Sequence, residues 1–292
     1  MLSAEFRKAV ENALALRHPG PLDWRSAGRG VGGDTWRLQA ADAAGFLKIA
    51  DEPQRLVMEA DGLQALTGCG AVRVPQVLAT GEAGSTAFLL MEWLELGRKT
   101  QPAAARLGEQ LARQHRCLGE QFGWRRPNFI GATPQFNTQS DDWLKFFREQ
   151  RLGFQLRLAA ENGFRGGLQT AGRRLLEMLP VFFEGYTPIP SLLHGDLWSG
   201  NWGVLGSGEP VIFDPAVYCG DREADLAMTE LFGGFPPEFY SAYHAVWPLD
   251  DGYRVRRDLY NLYHLLNHLN LFGTGYLAQV QGLMEQLLAQ VR

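Results

Sequence analysis

The chain has 292 residues, 46% of them hydrophobic and 21% charged, with a formal net charge of −4. That length buries a sizeable core as one large domain or two lobes, and the composition is that of a folded globular protein. The small acidic excess gives no support for a nucleic-acid-binding surface, and no apolar run approaches the ~20 residues a membrane-spanning helix needs. Three cysteines, Cys69, Cys117 and Cys219, are sparse and lack C-x-x-C spacing. They predict reduced thiols in a cytoplasmic protein and no zinc site. The N-terminal stretch has acidic residues early and no apolar core of the kind a signal peptide carries.

In chain order, Ser3 can cap a helix over 3–16 whose stripe is Phe6, Ala9, Val10, Ala13 and Leu14. Gly30, Gly32 and Gly33 then make a permissive turn between two strands. Such a hairpin either is a plain flexible turn or brings backbone N–H groups close to phosphates. Lys48 lies in a strand, 45–50, otherwise built of Gly, Phe, Leu, Ile and Ala. It is either an edge-strand lysine with its head in water or a grip on nucleotide phosphates steadied by a carboxylate. The next helix, 53–68, has Pro53 near its start and Gly68 as its expected stop. Its Glu59 borders the apolar stripe and is the expected partner of Lys48; Asp61 points away. Strands are predicted at 72–79 and 86–93, the second running into a hinge. There the backbone of Glu92 to Leu94 is placed to meet an adenine edge.

From about residue 101 the periodicity turns helical. Leu107, Leu111, His115 and Leu118 form one face, with His115 read as a hydrogen-bonded core histidine. Residues 121–140 read as a long loop with exposed aromatics, of the kind that lines sites. A helix capped by Asp141 follows, then another over 170–185.

The stretch 192–215, LLHGDLWSGNWGVLGSGEPVIFDP, organises the rest. His194, Asp196 and Asn201 sit on a sharp turn. Two short apolar runs flank the turn-like GSGE, so a hairpin returns Asp214 to Asn201 and Asp196. An amide and a carboxylate side by side suit Mg²⁺, which takes few protein ligands, and a separate carboxylate can accept a hydroxyl proton. The order base Asp, Asn five positions on, later Asp is that of phosphoryl transfer from a nucleotide to an alcohol. Either fragment alone would be an ordinary capped turn or strand end; the ordered set is not. Asp225 opens a following helix, where it can hold the catalytic turn through backbone N–H groups or simply favour the helix N-terminus. Arg222, between two acids, predicts a local salt bridge. The remainder is helical. Its His264, Asn267 and His268 either border a sugar pocket or are satisfied within the bundle.

These motifs resemble the fructosamine kinase (ketosamine-3-kinase) family, relatives of the aminoglycoside and choline phosphotransferases. HGD-x-x-x-x-N and the later D-P belong to that wider group. LLHGDLWSGN, TPQFNTQSDDWLKFFREQRLGFQL, FDPAVYCGDREADLAM, FGGFP and LLNHLNLFG are the narrower likeness, strongest from about 131 onward. The resemblance implies a two-lobed α+β protein-kinase-like fold: a small antiparallel β-sheet lobe with one main helix, 1–94, and a larger, mostly helical lobe, 95–292. It also implies ATP-dependent phosphorylation of a ketoamine, or glycated amine, at the third carbon of its sugar, followed by loss of the sugar. Asp196 would be the base, Asn201 and Asp214 the Mg²⁺ ligands, and Lys48 with Glu59 the phosphate grip, helped by Gly32 and Gly33. Trp198 would wall the sugar pocket, bordered by Asn267, while His194 and Asp225 would support the catalytic turn. The glycine loop matches least and carries no cysteine, so the thiol switch of some members does not carry over. The expected protein is a monomer or weak dimer. An aminoglycoside or amino-alcohol acceptor, or a non-catalytic nucleotide-binding protein, are the competing readings.

Overall fold

A computed structural model describes residues 2–15, 22–30, 33–40, 44–84 and 86–291. The Ser3 hydroxyl accepts the Phe6 N–H at 3.1 Å and caps α1 (Ala4–Ala15). Strands β1 (Asp23–Gly30), β2 (Gly33–Gln39) and β3 (Ala44–Ala50) form an antiparallel sheet. After α2 (Pro53–Cys69) come β4 (Val77–Ala83) and β5 (Thr86–Glu92), giving the order β1-β2-β3-β5-β4.

Strand alternation divides the side chains between two cores. Leu47 and Ile49 of β3 join Phe88 and Leu90 of β5 against Phe6 and Val10 of α1. On the opposite face, Ala50, Leu89 and Met91 pack against Leu56, Ala60, Leu63 and Leu66 of α2. Lys48 shares that second face. Its strand is the central one, paired with Thr35 on one side and Leu89 on the other, so it is not an edge lysine.

Two boundaries differ from the sequence reading. The strand expected over 72–79 starts only at Val77, because Pro75 has no N–H to donate to a ladder. Helix α2 passes Gly68 and is closed by Gly70, whose left-handed backbone (φ 68°) sends its N–H to the Leu66 carbonyl.

The second lobe opens with α3 (Gln101–Gln114), which packs along a later helix. Leu107, Leu111 and His115 are buried, but Leu118 is 57% exposed because the helix has already ended at Gln114. The loop expected over 121–140 holds a small hairpin, β6 (Asn128–Ile130) and β7 (Thr133–Gln135). Asp142, not Asp141, caps α4 (Trp143–Phe146) by accepting the Lys145 N–H. A π-helical turn over 147–152 leads into α5 (Gly153–Glu161), and α6 (Gly167–Met178) follows. Next come β8 (Ser191–Leu193), the predicted hairpin β9 (Trp202–Val204) and β10 (Pro210–Ile212), and β11 (Tyr218–Gly220), which pairs with β8. Four helices close the lobe: α7 (Glu223–Leu231), α8 (Pro237–Val246), against which α3 packs, α9 (Tyr253–Phe272) and α10 (Leu277–Gln290). Among the described residues no helix is long and apolar enough to cross a membrane.

Two further expectations are corrected. Arg222 forms no salt bridge with its acidic neighbours. It donates to Tyr243 Oη and the Trp247 and Pro248 carbonyls, and lies 4.0 Å from the centre of the Trp247 ring. Cys69 and Cys117 are not thiols but a disulfide, while Cys219 is free and buried. The end of α2 and the turn after α3 bring two cysteines 48 positions apart to a Cα separation of 6.1 Å, which spacing along the chain cannot reveal. The pairing removes the argument from reduced thiols to a cytoplasmic location.

Closing a loop of that length restricts the unfolded chain, so Cys69→Ser should lower the unfolding free energy by about 2–4 kcal/mol in denaturant titrations. Dithiothreitol should bring the wild type to the same midpoint and leave the variant where it is. His264, inside the helical core, supplies a second expectation. Burial holds its imidazole down to about 3, against an ordinary 6.5, with His268 and Arg151 acting in the same sense. Above pH 6.5 it is neutral in both states and contributes nothing. Between about 6.5 and 3 only the unfolded chain takes the proton, so stability falls with pH by up to about 1.4 kcal/mol per unit. Urea midpoints of His264→Gln should show a correspondingly shallower acid limb.

Candidate active site

The β9–β10 hairpin does what its sequence requires. Trp202 pairs with Ile212 and Val204 with Pro210, and the Phe213 N–H donates to the Asn201 carbonyl at 3.1 Å. Asn201 and Asp214 therefore meet at the open end of the ribbon. Asp214 has φ 58°, the only non-glycine in the left-handed region among the described residues. That conformation costs about 1–2 kcal/mol for most side chains and is one aspartate tolerates.

The preceding turn is fixed from beneath. Asp225, near the start of α7 and 1% exposed, accepts the backbone N–H groups of His194 (2.7 Å) and Gly195 (2.8 Å). His115 Nε2 approaches the same carboxylate at 3.2 Å, and its Nδ1 meets Tyr243 Oη at 2.8 Å. Burial pushes the Asp225 carboxyl up, but His115 and the Gly195 N–H outweigh it and hold it below the usual range. His194 has its tautomer set by its neighbours. Nε2 faces the Phe213 carbonyl at 3.0 Å and must donate; Nδ1 receives the Asp196 N–H at 3.3 Å and must be bare. Burial lowers its basicity, consistent with a neutral ring. Only glycine fits at 195, since φ is 83° and a Cβ would lie 2.0 Å from the Ala216 carbonyl oxygen.

Asp196 emerges from this turn into a cleft of about 660 Å³ between sheet and helical lobe, lined also by Lys48, Glu59, Trp198, Asn201 and Asp214. Asn201 Nδ2 donates to the Asp196 carbonyl at 2.8 Å and to its carboxylate at 3.3 Å. Burial, then the charges of Asp214 and Asp225, push the Asp196 carboxyl up to about 7 against that hydrogen bond. Lys48 Nζ bridges Glu59 (2.7 Å) and Asp214 (2.5 Å). Burial alone would lower the ammonium's pKa, but the two carboxylates reverse this and raise it, so it is charged. Glu59 is raised by burial, with Lys48 opposing.

The other expected residues separate into three groups. Gly33 lines the cleft, whereas Gly32 lies outside the described residues. Leu94 and Glu92 also line it, and part of the hinge backbone is already engaged. The Glu92 and Trp93 N–H groups are already given to the Gln76 and Ala44 carbonyls, and the Glu92 carboxylate holds Arg73 and the Gln76 N–H. Asn267 does not line the cleft: it is 2% exposed and accepts from Gln155 Nε2 at 3.2 Å within the bundle. Trp198 is 37% exposed at the cleft mouth.

Sequence reasoning missed the aromatic wall. Phe46 and Trp93, ring centres 6.0 Å apart, lie on the cleft, with the Arg37 guanidinium 4.5 Å from the Trp93 ring centre. Phe46 was within reach of strand alternation, because it stands two residues before Lys48 and shares its face. Among the described residues there is no cluster of three or more His, Cys, Asp or Glu able to hold a metal. The donor set that does exist, one amide and one carboxylate beside an ammonium, fits a hard cation that takes few protein ligands and completes its shell with phosphate and water.

Comparison with known proteins agrees with this geometry. Residues 21–290 match the fructosamine kinase family. A protein described as a probable ketoamine kinase from Synechocystis is 47% identical over 246 residues, 83% of this chain and 82% of its own length. The chloroplastic protein-ribulosamine 3-kinase of Arabidopsis thaliana is 41% identical over 237 residues, 80% of this chain and 72% of its own. A crystal structure from Thermobifida fusca, named for a fructosamine-3-kinase, superposes with a TM-score of 0.87 at 33% identity, covering 96% of this chain and 99% of that one. An aminoglycoside phosphotransferase solved with AMP-PNP and hygromycin B shares the protein-kinase-like fold, with TM-score 0.66 at 15% identity over 96% of this chain and 97% of that one. The chain described here belongs to the fructosamine kinase family.

Proposed function

We propose that the cleft transfers the γ-phosphoryl group of ATP to the hydroxyl on the third carbon of a ketoamine sugar, of the fructosamine or ribulosamine type. The observation that carries this reading is the convergence of Lys48, Glu59 and Asp214 by direct contact at one end of a cleft that Asp196 and Asn201 also line. In this reading Lys48, steadied by Glu59, grips the α- and β-phosphates. The adenine lies between Phe46 and the hinge, whose backbone from Leu94 onward is left to meet its edge. Residues 1–94 form the nucleotide lobe and 95–292 the catalytic lobe.

Asp196 accepts the proton of the attacking hydroxyl as the oxygen bonds to the γ-phosphorus and ADP leaves. A carboxylate held near neutrality suits that exchange. Asn201 and Asp214 would hold Mg²⁺, which when bound neutralises phosphate charge. Most of the rate then comes from positioning and fixed charge, as is usual for phosphoryl transfer. Trp198 offers a flat apolar wall for the sugar. A 3-phosphate on the ketoamine promotes release of the sugar from the amine. We place the activity in the cytoplasm, where ATP is available, with small-molecule ketoamines or glycated amines as acceptors and a monomer or weak dimer as the working form.

Asp196→Asn should lower ketoamine-stimulated ADP release by about 10²–10⁴-fold while the melting temperature is kept; unchanged turnover with synthetic ribulosamine and fructosamine adducts would rule the assignment out. Asp225→Ala should act differently, because it leaves two buried N–H groups without acceptors. The expected loss is about 2–5 kcal/mol of stability together with activity, read by denaturant titration beside the same assay.

A further inference from the structure

Glu59 and Asp61 stand two positions apart on α2, about 200° around the helix, so they face opposite ways. Glu59 meets Lys48. Asp61, only 7% exposed, meets the segment over 121–140 instead. Its carboxylate accepts Trp124 Nε1 at 2.9 Å and the Arg125 guanidinium, with Arg126 Nε at 4.0 Å. Burial pushes this carboxyl up, but the Arg125 and Trp124 hydrogen bonds outweigh it and hold it below the usual range. Six residues earlier on the same helix, Arg55 donates to the Gly131 carbonyl at 2.7 Å.

The segment that holds Asp61 is itself bonded to the chain just beyond Asp214. Asn128 Nδ2 donates to the Val217 carbonyl at 2.7 Å and Gln135 Nε2 to the Ala216 carbonyl at 3.1 Å, while Gly123 and Cys219 exchange backbone hydrogen bonds at 2.8 Å. The Ala216 N–H continues the connection to the His194 carbonyl at 2.8 Å. Helix α2 also rests directly on this frame at Gly62, where a Cβ would come within 3.2 Å of Val217 and 3.3 Å of Pro215. Only eight residues, 215–222, separate Asp214 from α7, and part of them is β11. The long segment that sets the equivalent helix in protein kinases therefore has no room there.

We propose that Asp61 is a positioning residue: by anchoring α2 to the 121–140 strap, it fixes the helix rotation at which Glu59 reaches Lys48. This rests on the reading of Lys48 and Glu59 as the phosphate grip. A rotation of α2 that releases Asp61 also withdraws Glu59, since the two sit on one rigid cylinder. Lys48 would then keep Asp214 alone and be drawn toward it, away from the nucleotide. The strap thus takes over, permanently and without modification, the task of holding the helix inward.

The test uses the full chain with Mg-ATP and a synthetic ribulosamine adduct of lysine, comparing wild type, Asp61→Asn, Trp124→Phe, Glu59→Gln and the Asp61→Asn/Glu59→Gln double variant. Binding of a fluorescent ATP analogue without acceptor is the second readout, and thermal melts confirm that each variant is folded at the assay temperature. Asp61→Asn and Trp124→Phe should each lower kcat/KM for ATP by about 10–100-fold, with KM for the ketoamine unchanged. The double variant should be no worse than Glu59→Gln alone, because Asp61 acts through Glu59. Losses that multiply in the double variant, or unchanged nucleotide affinity in Asp61→Asn, would overturn the proposal. If the wild type binds the analogue but no ketoamine stimulates turnover, the acceptor assignment falls, and the binding cycle alone decides the role of Asp61.

Discussion

One ammonium group joins the two lobes of the molecule. Lys48 rises from the central strand of the sheet, Glu59 comes from the helix packed on it, and Asp214 comes from the end of a ribbon in the other lobe. Lys48 and Glu59 are largely taken out of water while Asp214 stays half-exposed, so removing either carboxylate leaves the buried ammonium less well compensated. The contact therefore ties the approach of the lobes to the integrity of the charge set. The shared apolar core beneath it, from Leu56 and Leu63 of α2 to Trp202, Ile212 and Val217, supplies the packing that makes the approach close.

Around that contact the turn that carries Asp196 is built as a rigid insert. A buried carboxylate collects two consecutive backbone N–H groups, a neutral histidine spans the turn to the strand end, and the side-chain amide of Asn201 holds Asp196. Each polar group has a partner of opposite character, so the turn need not rearrange when substrate arrives. Rigidity here and an open cleft above it are complementary: Asp196 is held in place, and whatever enters the cleft is what must adjust.

What was legible in the sequence follows the range of the interactions. The hairpin that brings Asn201 to Asp214 is local, and turn chemistry with two apolar runs is enough to foresee it. Helical periodicity over 53–68 singles out Glu59, and a place at a helix start singles out Asp225. The failures are of a different kind. The partners of Asp61 lie 63 and 64 positions away, and those of Cys69 lie 48 away, so no periodicity carries them. At the hinge, the Glu92 N–H is given to the Gln76 carbonyl just ahead of β4, a pairing that the apolar pattern of the strand does not show. Asn267, which the sequence leaves open between a sugar pocket and the bundle, is taken up by the bundle.

The π-helical turn over 147–152 carries an implication for how this chain is compared with others. A wide turn holds one residue more than the α-helix it interrupts, and here the surplus swings Arg151 fully inward. Its guanidinium lies 4.1 Å from the centre of the Tyr218 ring and donates to the Phe136 carbonyl and Asn137 Oδ1. A homologue lacking the bulge must be one residue shorter at this point, or else present every later side chain of α5 about 100° out of phase. A gap placed elsewhere in an alignment would silently mismatch the whole helix.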